Sequence, residues 1–432
     1  MEEHQQPVRV GIIGLGYWGP KLARNLYNLP GVTVSMASDL RQERLDDLKK
    51  VYPDIGLTRD YKDLLDDSLD AIVIATPVYT HYSLAREALL AGKHVFVEKP
   101  LTSSSAHGQE LLCLAKERGL CLMIGHTFVY NPGVEAVKRV IQSGELGDVY
   151  HLNSTRVNLG FLQPDINVMW DLAPHDLSIL SYLLDDDPVK VSALGAVYVN
   201  KSRNLPEVIY INLRFKNDVI ANLRVSWLDP VKIRRLTVVG SKKMLVYDDI
   251  SDNKVMLYDK GVDVPPYSIT EEEFRASYRN GPESLVPYEW VEPLHAECDH
   301  FIECIRTGCA SRSGGEAGLK VVKILESAQR SLINGGLELA MRSDTAPQLR
   351  GKTGGEVDPI ALNRYVDIDI RLLEQKIADE TTHEIYAGEV VGQRRACQEE
   401  LTEAGVLGQF GHGVRGRFRF QRAVLFPPSL IG

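Results

Sequence analysis

The sequence has no run of the roughly 18 to 20 apolar residues that a bilayer-spanning helix needs, so a membrane-embedded chain is not expected. Before Val8 the N-terminal residues, MEEHQQP, offer neither a basic leader nor a signal-like apolar stretch, and residence in the cytoplasm is the default expectation. Basic charge is in deficit. The 49 Lys and Arg stand against 58 Asp and Glu, a net charge of -9, which leaves no broad positive field for a polyphosphate backbone and makes nucleic acid an unexpected partner. Cysteine is sparse. The six residues Cys113, Cys121, Cys298, Cys304, Cys309 and Cys397 form no C-x-x-C pair and no framework spacing, so reduced thiols are expected. His295, Cys298, Asp299 and His300 spell H-x-x-C-D-H, but at the opening of a helix those side chains spread around the axis. A helical ligand pair needs i, i+3 or i+4 spacing plus distant partners, and no metal site is expected there.

With 44% hydrophobic and 25% charged residues the chain has the make-up of a folded globular protein, and 432 residues exceed what one core usually serves. The order of elements predicts two domains. VRVGII at 8–13 reads as a buried strand, followed by a glycine turn and a helix at LARNLYNL. The alternation continues with strands at 32–37, 71–76, HVFVEK and 120–125, and helices near 41–51, 61–65, 81–91 and 103–118. That pattern predicts an α/β, doubly wound parallel sheet over 7–126. After Gly125 the texture changes to longer alternating strands, VYHLNSTRVN, VIYINLRF, VIANLRVSWL and RRLTVVGS, which predict an α+β domain over 127–340 with a mostly antiparallel open sheet. Helical segments at 295–307 and 316–334 are expected to pack on that second body. From 341 to 432 a Gly- and Pro-rich linker leads into an appendage to which the pattern assigns no fold. GEVVGQ and AGVLGQ there are isolated, so no hexapeptide-repeat acyltransferase is expected.

Gly14, Leu15, Gly16, Tyr17, Trp18 and Gly19 form G-x-G-x-x-G directly after an apolar strand and directly before a helix. In that context the first glycine allows the tight turn, the second admits a pyrophosphate to the backbone, and the third lets helix and strand approach closely. Asp39 follows Gly19 by 39 − 19 = 20 residues, the approximate spacing of the acid that accepts an adenosine ribose hydroxyl. A carboxylate there favours NAD over NADP, whereas Arg41 beside it is a group that pairs with phosphate.

Three further motifs, Glu98-Lys99-Pro100 after a strand, GHTFVYNP at 125–132, and Asp171-Leu172-Ala173-Pro174-His175-Asp176, join the glycine run in a fixed order. Together they resemble the Gfo/Idh/MocA oxidoreductase family over about residues 7 to 340, nearest its nucleotide-sugar dehydrogenase branch. The resemblance implies Lys99 and His175 around a reacting substrate oxygen, a sugar-like substrate, and loop contacts to NAD from Thr76, Pro77, His81 and Glu98. The residue types suit that chemistry: a neutral histidine can take a hydroxyl proton, and a lysine can stabilise charge growing on the oxygen. Asp171 stands at i−4 from His175 and shares its face if this segment is helical, with Pro174 tolerated only in the first turn. Tyr130, Asn131, Arg156, Asn158, Gln163 and Asn167 cluster around the domain junction as candidate sugar-binding groups. The expected substrate is a UDP-linked N-acetylated hexose or hexuronic acid oxidised at a secondary hydroxyl, C3. The alternatives are an inositol or free sugar, or a non-catalytic dinucleotide-binding redox sensor. An exposed apolar face on the second sheet is expected to be covered by another copy, giving a homodimer or homotetramer.

Overall fold

The computed structural model describes residues 6–163, 165–263 and 277–341. The linker and appendage expected beyond 341 lie outside the described residues. Six short apolar strands, β1 (Val8–Ile13), β2 (Val32–Ser38), β3 (Gly56–Thr58), β4 (Ala71–Ile74), β5 (His94–Glu98) and β6 (Leu122–Gly125), pair in parallel in the order β3-β2-β1-β4-β5-β6. All four residues of β4 are buried, as expected of a strand covered on both faces. Its covering helices include α1 (Gly19–Tyr27), α2 (Gln42–Val51), α3 (Val78–Leu90) and α4 (Ser105–Arg118). Strand order reverses between β1 and β4, and a crevice opens there at the carboxyl ends of the strands.

After α5 (Pro132–Gln142) a second sheet forms from β7 (Val149–Leu159), β8 (Lys190–Ala196), β9 (Val208–Arg214), β10 (Ile220–Ser226), β11 (Leu228–Gly240), β12 (Met244–Asp248), β13 (Val255–Asp263), β14 (Ser277–Leu285) and β15 (Leu339–Ala340). Its order is β14-β13-β12-β11-β7-β10-β9-β8-β15, antiparallel throughout except for the β7–β10 pair. α6 (Val168–Leu184) lies on one face, burying Ala173, Leu177 and Leu180 in one cluster with Ile211, Leu223 and Val225. Each such side chain contributes about 1.5–3 kcal/mol of transfer free energy.

Two expectations change. α7 (Pro293–Thr307) does not return to the second body: Leu294, Cys298, Phe301 and Ile302 join the core of the first sheet, with Phe301 edge-on to Phe96 at 5.6 Å. α8 (Gly315–Ile333) serves both bodies, giving Leu319 and Val322 to the first and Val321, Ile324, Leu325 and Ala328 to the second. The open face of the second sheet carries both polar and apolar rows. Asn153, Asn222, Asn212 and Ser192 run across it in register, and the Asn222 amide donates to Asn212 at 2.7 Å. The neighbouring row carries Arg235, Thr155 and Arg224 beside Tyr210 and Leu194. The next row on that face carries Tyr258, Met244, Val239 and Ile220 beside His151, and Leu194, Tyr210 and Ile220 are exposed.

The helix is pinned to the sheet by a buried ion pair. Arg156 Nε on β7 donates to Asp176 Oδ2 on α6 at 2.6 Å, and Ser154 Oγ donates to Oδ1 at 2.7 Å. Both charged side chains are 6% exposed, so removing one partner strands the other in a low dielectric. Arg156→Met is expected to lower unfolding free energy by about 3–5 kcal/mol in urea titrations, with a substantial part recovered in Arg156→Met/Asp176→Leu. Equal losses in the single and double variants would contradict this reading.

Candidate active site

The crevice between β1 and β4 begins with the glycine run. Gly14 has φ +93°, and a Cβ on it would meet the Ala75 carbonyl oxygen and the Thr76 methyl at 2.7 Å. A Cβ on Gly19 would lie 2.0 Å from the Gly14 carbonyl oxygen, so the third glycine is required by the turn itself. Gly16 is different: an added Cβ would meet only Arg44 Nη1, at 3.9 Å, so the second glycine borders open space. α1 starts at Gly19 with Trp18 as its N-cap and no side chain capping it, which leaves amides at a positive helix end. Asp39, at the end of β2 and buried, accepts from Leu15 N–H at 2.7 Å, Arg41 N–H at 2.9 Å and Arg44 Nη1 at 3.2 Å. Its basic partner is thus the Arg44 guanidinium, whereas Arg41 engages it through the backbone. An open second glycine, an uncapped helix start and an acidic residue at the β2 end fit a dinucleotide pyrophosphate and ribose.

The loop after β4 closes the other side. Thr76 Oγ1 lies 2.7 Å from Thr80 Oγ1, and Pro77 is the N-cap of α3. His81 is buried, with Nδ1 2.9 Å from Pro100 O and Nε2 2.8 Å from Thr76 O. Its ring therefore holds two loops together and presents neither nitrogen to a ligand. Tyr17 is exposed, with Lys21 Nζ 3.3 Å from its ring centroid, and the Lys21 ammonium draws the phenol below its ordinary range.

Lys99 leaves the carboxyl end of β5 and crosses to α6, where Nζ donates to the Asp171 carbonyl at 2.8 Å and lies 3.5 Å from Asp171 Oδ1. The sequence expectation placed Pro174 in the first turn, but the helix begins at Val168 and Pro174 sits in its interior. Asn167 makes the earlier start possible by accepting from Met169 N–H at 3.1 Å and Trp170 N–H at 3.3 Å. Pro174 withdraws the N–H that the Trp170 carbonyl would otherwise receive, which loosens the backbone next to the carbonyl that Lys99 engages. Trp227 Nε1 donates to Asp171 Oδ2 at 3.2 Å and fixes that carboxylate.

His175 faces the same space, with its ring edge-on to Phe128 at 5.0 Å and its Nδ1 without a partner. Enclosure of the imidazole, then the charges of Lys99 and Arg156, push its pKa well below the ordinary value, so it is neutral at physiological pH. The residue as a whole is half-buried. Two buried groups near Lys99 and the expected Glu98, His126 and Glu297, were missed by sequence reasoning. His126 is buried with both ring nitrogens unpartnered, and Glu297 of α7 is buried with Oε1 unpartnered and Oε2 accepting from Thr127 at 2.7 Å. Glu98 Oε2 accepts from Lys99 N–H at 3.2 Å, its other oxygen has no partner, and burial pushes the carboxyl up to about 7.

Several expected ligand groups are spent elsewhere. Asn131 caps α5 through Gly133 N–H at 2.9 Å, and Asn167 caps α6 while donating to Gln329 at 2.8 Å. Tyr130 is buried against α7, its hydroxyl 2.9 Å from His300 Nδ1, away from Lys99. Arg156 commits Nε and Nη2 to Asp176 and lies over the Phe128 ring at 4.3 Å, leaving one buried Nη1 unpartnered. Asn158 stays beside the site, across Gly160 from Trp227, and Gln163 is half-buried.

Burial, then the Lys99 charge, pushes the His126 imidazole from 6.5 down to about 3. Between those values the unfolded chain binds a proton that the folded chain refuses, so stability is lost as pH falls through this window. His126→Phe removes the term, and near pH 4 its loss of stability relative to neutral pH is expected to be smaller than wild type's by about 3 kcal/mol. Parallel stability-versus-pH curves would contradict the assignment.

Residues 8–126 match the family model described as an oxidoreductase family with an NAD-binding Rossmann fold, and residues 134–246 match the GFO/IDH/MocA C-terminal domain. The chain is 31% identical over 324 residues to scyllo-inositol 2-dehydrogenase (NAD(+)) of Bacillus subtilis (strain 168), covering 71% of this chain and 88% of the relative. It is 28% identical over 265 residues to UDP-N-acetylglucosamine 3-dehydrogenase of Acidithiobacillus ferrooxidans, covering 60% and 79% of the two chains. The solved structure of that enzyme superposes with a TM-score of 0.63 at 24% identity, over 76% of this chain and 98% of that one, a likeness of fold.

Proposed function

The chain belongs to the Gfo/Idh/MocA oxidoreductase family, and on that footing we propose that it oxidises a secondary ring hydroxyl of a UDP-linked N-acetylated hexose or hexuronic acid, at C3, with NAD as acceptor. The observation that carries the reaction class is the Lys99 ammonium at the end of β5, 2.8 Å from the Asp171 carbonyl and close enough to His175 to help keep that imidazole neutral. NAD, when bound at the glycine run, supplies the acceptor for the hydride that leaves the substrate carbon. Lys99 donates to the substrate oxygen and stabilises the negative charge that grows there. His175, neutral beforehand, takes the hydroxyl proton as the carbonyl forms. Asp171, held by Trp227, positions Lys99 through its carbonyl and carboxylate. Asp39 favours NAD over NADP because an acceptor-only group suits ribose hydroxyls and repels a 2′-phosphate.

Support for the nucleotide sugar comes from the UDP-N-acetylglucosamine 3-dehydrogenase relative and from Lys232 and Arg234, cations of β11 whose fields reach Tyr17 in the glycine run. A cyclitol is the second reading, favoured by the 31% identity to the scyllo-inositol enzyme. Both are tested by following NADH formation at 340 nm with UDP-N-acetylglucosamine, UDP-N-acetylglucosaminuronic acid, myo-inositol, scyllo-inositol and glucose, each with NAD and with NADP. We expect turnover with a UDP-sugar and a preference for NAD. Turnover confined to the inositols would replace the substrate and keep the chemistry. No turnover with any secondary alcohol in the panel would favour a non-catalytic dinucleotide sensor.

A further inference from the structure

A second constellation of reactive side chains lies where α7 ends, and it shares no residue with the Lys99 site. His300 and Cys304 stand at i and i+4 on α7, with Nε2 and Sγ 3.6 Å apart. The helix then stops at Gly308 in the left-handed region, φ +72°, and the reversal brings Cys309 Sγ to 3.2 Å from Cys304 Sγ. The three ligand atoms all lie within 4.8 Å of one another, the only such grouping of His, Cys, Asp or Glu among the described residues. Cys121, immediately before β6, is a further thiol close enough to influence Cys304 and Cys309 electrostatically, although it lies outside that grouping. Cys121 and Cys309 both line a cavity of about 470 Å³, which gives an ion a path in from solvent.

We propose that His300, Cys304 and Cys309, with Cys121 as the fourth ligand, form a binding site for a thiolate-preferring divalent metal ion, zinc foremost. The donor set is Cys₃His, one of the closed tetrahedral sets of structural zinc. With Zn–S about 2.3 Å and Zn–N about 2.0–2.1 Å, tetrahedral geometry places N and S about 3.6 Å apart and two sulfurs about 3.8 Å apart. The His300–Cys304 separation already has the first value. The second requires Cys309 to move outward by about half an ångström, which its exposed place on the loop allows. The histidine is also oriented as a ligand would be. Its Nδ1 meets the Tyr130 hydroxyl at 2.9 Å, which in turn lies 3.3 Å from Ser313 Oγ, so Nε2 is the nitrogen turned to the sulfurs. A disulfide between Cys304 and Cys309 would use two of these groups and leave the aligned imidazole and Cys121 without a part. On binding, each thiol ligand gives its proton to solvent and the metal keeps its oxidation state. The ion would tie the end of α7 and the loop after it to the edge of the first sheet.

The test uses the full chain, purified under reducing conditions without chelator, with metal content measured by mass spectrometry. Cobalt(II) titration of chelator-stripped protein then reads the ligands. We expect about one zinc per chain, and on cobalt binding the intense visible d–d bands and near-ultraviolet thiolate charge transfer of a tetrahedral thiolate site. Cys304→Ser and Cys309→Ser should each weaken cobalt binding about tenfold or more, and Cys121→Ser should reduce the charge-transfer intensity. Cys113→Ser, on α4 and exposed, and Cys397→Ser should change neither readout. Should Cys304→Ser not fold, Cys309→Ser at the surface carries the same test. Folded protein with no stoichiometric metal and no tetrahedral cobalt spectrum would overturn the proposal. So would a Cys304–Cys309 disulfide persisting in the reduced preparation, or binding unaffected by Cys309→Ser.

Discussion

The contact on which the site depends is the Lys99 ammonium held to the Asp171 carbonyl, a charge-assisted hydrogen bond between the last strand position of one body and the first turns of a helix in the other. A lysine has a long flexible stem, and anchoring its head to a backbone acceptor removes most of that freedom before any substrate arrives. The acceptor is placed by the way α6 is built. Asn167 starts the helix early, Pro174 leaves a gap in its hydrogen-bond ladder, and Arg156 with Asp176 fixes the far side of the helix to the sheet. Cap, proline and buried ion pair together set where the Asp171 carbonyl lies.

Charge around this anchor is arranged in layers. Above it, Lys99, Arg156 and Arg234 surround His175 and favour the uncharged imidazole, the form needed to accept a proton. Behind it, burial raises the proton affinity of the Glu98 and Glu297 carboxyls, the Glu98 charge raises that of Glu297 further, and burial keeps the His126 imidazole neutral. These groups carry unpartnered polar atoms, which costs stability and is tolerated where a site is built. Their titration opposes itself. His126 loses stability as pH falls below its ordinary value, whereas Glu98 binds a proton in the folded state between 4.5 and about 7, so its contribution is lost as pH rises through that range.

The parts of the fold that were legible in the sequence are those whose signal is local. Strands covered on both faces are apolar runs, so β1, β4 and β6 read directly, and the glycine run announces its turn because each glycine answers a separate steric demand. What escaped is set by partners far along the chain. A polar residue near a domain junction looks the same as cap or ligand: Asn131 and Asn167 are caps, although the Pro after Asn131 and the helix-forming run after Asn167 were usable signs. Arg156, expected among the sugar-binding groups, is buried because Asp176 pairs with it from the helix above. Glu297 reaches Thr127 and the neighbourhood of Glu98 because α7 packs on the first sheet and not on the second, a choice carried by Phe301 against Phe96 that no local periodicity records.

The central claim is that the anchored Lys99 ammonium acts on the reacting oxygen and not on the dinucleotide. It is tested most directly by Lys99→Met, a substitution that keeps most of the stem and removes the charge. NAD affinity, followed by quenching of protein fluorescence, is compared with kcat on whichever alcohol the wild type oxidises. The account predicts NAD binding within about threefold of wild type and kcat lower by about a thousandfold or more. Turnover within tenfold of wild type, or loss of NAD binding in step with turnover in a variant that remains folded, would contradict it.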